Sequence, residues 1–274
     1  MPMIQTHDGV NLFYKEWGRG RPVVLIHGWP LTSDTWDDTA IAIADSGFRA
    51  IAYDRRGFGR SDQPYDGYDY NQLTDDMADL IQHLALSDMT LVGFSMGGGE
   101  VARYMSRYKA KSVRQAVLIS SIVPYMLKTA DNPHGVGEEV FRQMASGIRQ
   151  DRAAFFESFF KDFFGVGLLS ASVSVAVLRW CERQAMMAGL KATLDCANSF
   201  ATTDFRGDLP AFNLPTLIIH GTGDQNVPIE TSARAAARGI PSSKLIEYEA
   251  APHGLFATHK DKLVRDLITF LKTA

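Results

Sequence analysis

The chain has 274 residues, 46% hydrophobic and 22% charged, a balance that suits one large globular domain and excludes disordered, collagen-like and mucin-like chains. Twenty-eight Lys and Arg face 31 Asp and Glu, a net charge of -3, so there is no basic footprint for a phosphate backbone and no nucleic-acid partner is expected. Only Cys181 and Cys196 are present, which excludes a disulfide framework and suits a reducing compartment.

Met1 to Gly9 carries no basic, apolar and small-residue leader, and a cytoplasmic protein is expected. Short β-branched and aliphatic runs then recur as strand candidates at Val10–Trp17, Val23–His27, Ala50–Asp54, Met89–Phe94, Gln115–Ser120, Thr216–His220 and Lys244–Tyr248. Helical spacing separates several of them, as in Asp75–Leu84, where Met77, Leu80, Ile81 and Leu84 share a side, and in Glu100–Tyr108. This alternation predicts a mainly parallel sheet covered on both faces. It breaks between Ser121 and Asn213, a stretch without strand signals and rich in Phe, Met, Ala and charge. A helical cap over 121–213 is expected, inserted in a core of 1–120 and 214–274. Within it Gly165–Leu178 is the longest apolar or small run, too short for the roughly twenty residues of a membrane span. It reads as a buried helix, and no membrane contact is expected.

Gly93-Phe94-Ser95-Met96-Gly97 follows a strand candidate and precedes a helical one, the context of a G-x-S-x-G nucleophile elbow. The turn is so tight that the positions flanking the serine by two must be nearly free of side chain, and Gly93 and Gly97 meet that demand. A Gly-rich packing turn is the competing reading. Serine alone is a poor nucleophile near neutral pH, so a base must take its proton and a carboxylate must orient that base. In this architecture the partners follow in the order acid, then His, each after a late strand. Asp224 stands in Gly221-Thr222-Gly223-Asp224 after one strand candidate, and His253 in Ala251-Pro252-His253-Gly254 after the next. The other histidines read as surface or packing residues. His27 and His220, at strand ends, read as buried and hydrogen bonded without chemistry. Asp54 also ends a strand, but Arg55, Arg56 and Arg60 follow it, and an ion-paired loop is its expected role.

Oxyanion stabilisation needs two main-chain amides aimed at the attacked oxygen. Met96, after the serine, supplies one, and the second is expected from His27-Gly28-Trp29-Pro30. Pro30 has no amide proton; its ring restricts Trp29 and so the direction of the Trp29 carbonyl. In the cap, Phe155, Phe156, Phe159, Phe160, Phe163 and Phe164 recur at helical spacing. Most suffice as cap core, while Phe159 and Phe163, with Trp29, Pro30, Ile122, Met126 and Val227, are expected to line a small apolar acyl pocket. No metal or other cofactor is expected, since H-E-x-x-H and His or Cys ligand clusters are missing from the sequence.

Together, His27-Gly28-Trp29-Pro30-Leu31, Tyr53–Asp62, Gly93–Tyr104, Thr203-Asp204-Phe205, Gly223-Asp224-Gln225 and Pro252-His253-Gly254 resemble the α/β-hydrolase superfamily, and within it the cofactor-free haloperoxidase, perhydrolase and aryl esterase group. The resemblance covers nearly the whole chain and implies the α/β-hydrolase fold, a mostly parallel eight-stranded sheet flanked by helices with a helical cap. It places the second oxyanion donor at Trp29. It also implies hydrolysis of small carboxylic esters, with peracid formation when hydrogen peroxide replaces water and only indirect halogenation. Homo-oligomers are a further implication. Ser95 stands where epoxide hydrolases and haloalkane dehalogenases of this fold have aspartate, which counts against both. A lactamase, a carbon-carbon bond hydrolase or a non-catalytic ligand receptor on the same fold are the alternatives.

Overall fold

Runs of β-branched residues that are apolar on both sides have nowhere stable to lie except between two helical layers. The computed structural model describes residues 2–167 and 172–273 and puts those runs there. The eight strands are β1 (Met3–Gln5), β2 (Asn11–Gly18), β3 (Arg21–Ile26), β4 (Phe48–Tyr53), β5 (Met89–Phe94), β6 (Val113–Ile119), β7 (Thr216–Gly221) and β8 (Ser243–Tyr248). They form one sheet in the order β1-β2-β4-β3-β5-β6-β7-β8. The first two strands pair antiparallel, and every pairing from β4–β3 onward is parallel. The central β5 and β7 are buried along their whole length.

The helices are α1 (Asp37–Asp45), α2 (Tyr70–His83), α3 (Gly97–Arg107), α4 (Glu138–Gln150), α5 (Arg152–Phe163), α6 (Val175–Met187), α7 (Leu190–Thr202), α8 (Ala233–Gly239), α9 (Leu255–Thr258) and α10 (Lys260–Leu271). Four of them, α4 to α7, lie between β6 and β7 and pack on one another, α5 on α6 and α4 on both α5 and α7. Among the described residues no helix is long and apolar enough to cross a membrane.

Two expectations for local structure fail. The helix expected over Gly165–Leu178 is not formed as such: Gly165 sits in a turn at φ +63°, and the helix begins only at Val175, where the Ser174 hydroxyl accepts from Val177 N. The part of that expectation on 168–171 lies outside the described residues. The segment expected to start at Asp75 starts at Tyr70 instead, because the Asp69 carboxylate caps it by accepting from Asn71 N at 2.9 Å and Gln72 N at 3.2 Å.

Candidate active site

Ser95 occupies the single sharp step between β5 and α3, with φ +53°. That conformation is costly for any residue with a side chain, and the surroundings enforce it. Ser95 N donates to Ile119 O at 2.9 Å, and Gly98 N donates to Ser95 O at 3.0 Å. A Cβ on Gly93 would lie 2.5 Å from Gly97 O, and one on Gly97 2.5 Å from Ile26 O. Only glycine fits at either flank of the serine.

Asp224 and His253 follow β7 and β8, which are parallel neighbours, so their C-terminal ends open on the same side of the sheet as the tip of β5. Close approach of the two loops depends on glycine again, since a Cβ on Gly221 would meet Ala251 O at 2.1 Å. His253 Nδ1 then lies 2.6 Å from Asp224 Oδ2, and His253 Nε2 3.0 Å from Ser95 Oγ. A carboxylate oxygen only accepts, so Nδ1 carries the proton and Nε2 is the nitrogen free to take one from Ser95. Ser120 Oγ holds His253 O at 3.1 Å, and the rings of Phe94 and Phe163 flank the imidazole at 5.2 and 4.7 Å. Burial opposes a charge on Asp224, yet His253 beside it and the bonds from His220 and His253 hold its carboxyl well below the usual carboxylate range. Its other oxygen accepts from Asn226 N and Val227 N, both at 2.9 Å.

The main-chain N–H groups of Trp29 and Met96 donate to no other described protein group, as donors reserved for a ligand require. The Trp29–Pro30 peptide is cis. The Trp29 indole N–H donates to Thr193 O at 3.0 Å on α7, and its ring packs on Phe156, Phe159 and Phe200. The inserted helices therefore hold the loop that carries one of the two amides. On the other side of that loop, Arg55 N donates to His27 Nε2 at 3.0 Å, and Arg55 Nη2 to His27 O at 2.7 Å. Arg55 is itself paired with buried Glu100 of α3. Asp54 is ion-paired as expected, with Arg60 (2.8 Å); Arg56 pairs with Asp76 and Asp8 instead.

A cavity of about 410 Å³ opens onto Ser95 and His253, a size suited to a small organic ligand. Trp29, Ile122, Met126, Phe159 and Val227 line it. Pro30 and Phe163 do not: Phe163 turns inward, fully buried, to wall the back of His253. The rest of the apolar wall is Phe155, from the aromatic run of the cap, with Val136, Val140, Phe141, Met144 and Phe200, the last five not anticipated as pocket residues. The signal existed, since Val140, Phe141, Met144 and Ile148 share one side of α4 at helical spacing. Among the described residues no group of three or more His, Cys, Asp or Glu side chains could hold a metal ion.

The family model for the alpha/beta hydrolase fold matches residues 21–260. The chain belongs to the α/β-hydrolase family. This hydrolase is 44% identical to a non-heme chloroperoxidase of Kitasatospora aureofaciens over 99% of both chains. It is 42% identical to a bifunctional esterase/perhydrolase of Acinetobacter calcoaceticus over the full length of both. Among solved structures, a bromoperoxidase from Bacillus anthracis matches this hydrolase at a TM-score of 0.96, with 43% identity and 99% of each chain covered.

Proposed function

We propose that this protein is a serine esterase of small carboxylic esters that also makes peracids when hydrogen peroxide replaces water. The observation that carries the reading is the Ser95–His253–Asp224 relay, at 3.0 and 2.6 Å, at the floor of a mostly apolar cavity. The names of relatives at 38–44% identity, chloroperoxidases and an esterase/perhydrolase, support the same chemistry.

In this mechanism Ser95 Oγ attacks the ester carbonyl as His253 Nε2 takes its proton, and Asp224 holds the imidazole in the Nδ1–H tautomer. The carbonyl oxygen, now negative, is bound by the amide of Trp29 in the loop after β3 and that of Met96 at the start of α3. His253 returns the proton to the departing alcohol, leaving Ser95 acylated. Water activated by His253 then releases the acid. Hydrogen peroxide in its place takes the acyl group to give a peracid and free Ser95. The peracid passes its terminal oxygen to a halide in solution, giving hypohalite and the carboxylate, so halogenation needs no group in the protein beyond the triad. The helices between β6 and β7 serve as the cap that closes the acyl pocket. The buried free thiols of Cys181 and Cys196 support a cytoplasmic setting.

Two measurements test this. Replacing Ser95 or His253 by Ala should lower kcat for p-nitrophenyl acetate by about a millionfold, and Asp224→Asn by about 10⁴-fold. Bromination of an indicator should require acetate, peroxide and Ser95 together. Bromination that persisted in Ser95→Ala, or without any carboxylate, would refute the mechanism.

A further inference from the structure

We propose that His220 is a positioning residue for the acid of the triad, its single N–H fixing both the Asp224 carboxylate and the turn that presents it. This rests on the reading of Ser95, His253 and Asp224 as a working triad and adds to it a fourth side chain that touches no substrate.

His220 is the penultimate residue of β7, fully buried, four residues before Asp224. Its Nε2 lies 2.8 Å from Val227 O and 3.2 Å from Asp224 Oδ2. Both oxygens can only accept, so Nε2 bears the proton, which it donates to Val227 O with Asp224 Oδ2 close beside it. Oδ2 is also the oxygen that holds His253 Nδ1 at 2.6 Å, while Oδ1 is held by Asn226 N and Val227 N. One imidazole N–H thus sits beside the catalytic oxygen of the acid while it holds the carbonyl of Val227, the same residue whose amide caps the other oxygen and whose side chain lines the cavity. Without it Oδ2 has His253 as its remaining partner, and the orientation of the carboxylate as His253 gains and loses a proton rests on the two amides at Oδ1.

The other ring nitrogen, Nδ1, is buried with no hydrogen-bond partner. Glu247 lies opposite His220 in the β7–β8 register but is engaged by Arg234, at 2.8 and 2.7 Å. An apolar ring would fill the same space without stranding a polar atom. The Nε2 contacts are what a phenylalanine or leucine cannot supply.

The test compares His220→Gln, His220→Asn and His220→Leu by steady-state kinetics with p-nitrophenyl acetate and by thermal unfolding. Glutamine carries its amide nitrogen to about the position of Nε2; asparagine carries its own to that of Nδ1, out of reach of Asp224. Asn and Leu should lower kcat by about tenfold with KM within about twofold, and Gln should recover most of the loss. A Leu variant with the parental kcat overturns the proposal, as does a Gln variant as slow as Asn at equal stability, which leaves only packing. Should the Leu variant not fold, the contrast between the two amides decides. Ser95→Ala, measured beside them, separates the two levels: if it keeps its turnover the triad reading fails. If it is inactive while all three His220 variants match the parent, only the positioning role fails.

Discussion

His27 lies under the loop that carries Trp29, its Nε2 accepting from Arg55 N and its Nδ1 2.9 Å from Gly28 O. Burial, and then the Arg55 guanidinium, push its pKa down to about 3. In the unfolded chain a histidine takes up a proton near pH 6.5. Between those two values the unfolded state binds one more proton than the folded state, so stability rises with pH. The contribution of His27 is complete above about pH 6.5 and is lost as pH falls toward about 3, at about 1.4 kcal/mol per pH unit. Denaturant unfolding followed from about pH 6.5 down to about pH 5 should show a steeper loss in the parent than in His27→Gln. The glutamine amide oxygen can still accept from Arg55 N but does not titrate, so equal slopes would exclude His27 as the source.

Helix α5 divides its aromatic residues by side. Phe156, Phe160 and Phe163 are fully buried, whereas Phe155 and Phe159 line the cavity. Phe159 stands edge-on to Trp29 with ring centroids 5.4 Å apart, narrowing the space above Ser95. Phe159→Ala should therefore favour longer acyl chains, raising the ratio of kcat/KM for p-nitrophenyl hexanoate over acetate by about tenfold, the worth of one further methylene taken up by an apolar pocket, about 1–3 kcal/mol. An unchanged ratio would remove Phe159 from the acyl wall. Helix α6 contributes differently. The Gln184 carboxamide oxygen accepts from Thr32 N at 3.1 Å and Thr32 Oγ1 at 2.9 Å, joining the inserted helices to the chain just beyond Pro30.

Across the whole molecule, one buried ion pair links three segments of the site. Arg55 Nε donates to Glu100 Oε1 at 2.7 Å and Arg55 Nη2 to His27 O, while Tyr53 O–H donates to Glu100 Oε2 at 2.6 Å. The end of β4, the loop after β3 and the helix behind Ser95 meet there. Burial pushes the Glu100 carboxyl up, with Arg55 opposing. Arg55→Met strands that carboxyl and should cost about 3–5 kcal/mol in denaturant unfolding, most of it recovered when Glu100→Leu is added. A single variant as stable as the parent would show that the pair does not hold the three segments together.

The local chemistry of the chain was legible before any fold was known. Met89–Phe94 reads as a strand and is β5 to the residue, because a run of apolar and β-branched residues needs no distant information to be extended. Gly93-Phe94-Ser95-Met96-Gly97 reads as an elbow because only glycine fits where Cβ atoms would collide. By contrast β1 has three residues in an exposed-buried-exposed pattern, too little signal to distinguish from loop. Which side of α5 faces the cavity depends on how the helix is rotated against Trp29 and His253, and so Phe159 lines the pocket where Phe163 does not. His220 in sequence is a histidine at the end of a buried strand; its place on Asp224 exists only once the 224–227 turn folds back over it. Sequence determined the residue types and the turns that expose them, since these follow from steric and local hydrogen-bonding rules. The approach of Ser95 to His253, 158 residues away, the identity of the cavity wall and the place of His220 beside Asp224 were decided by packing between elements, a property of the folded chain alone.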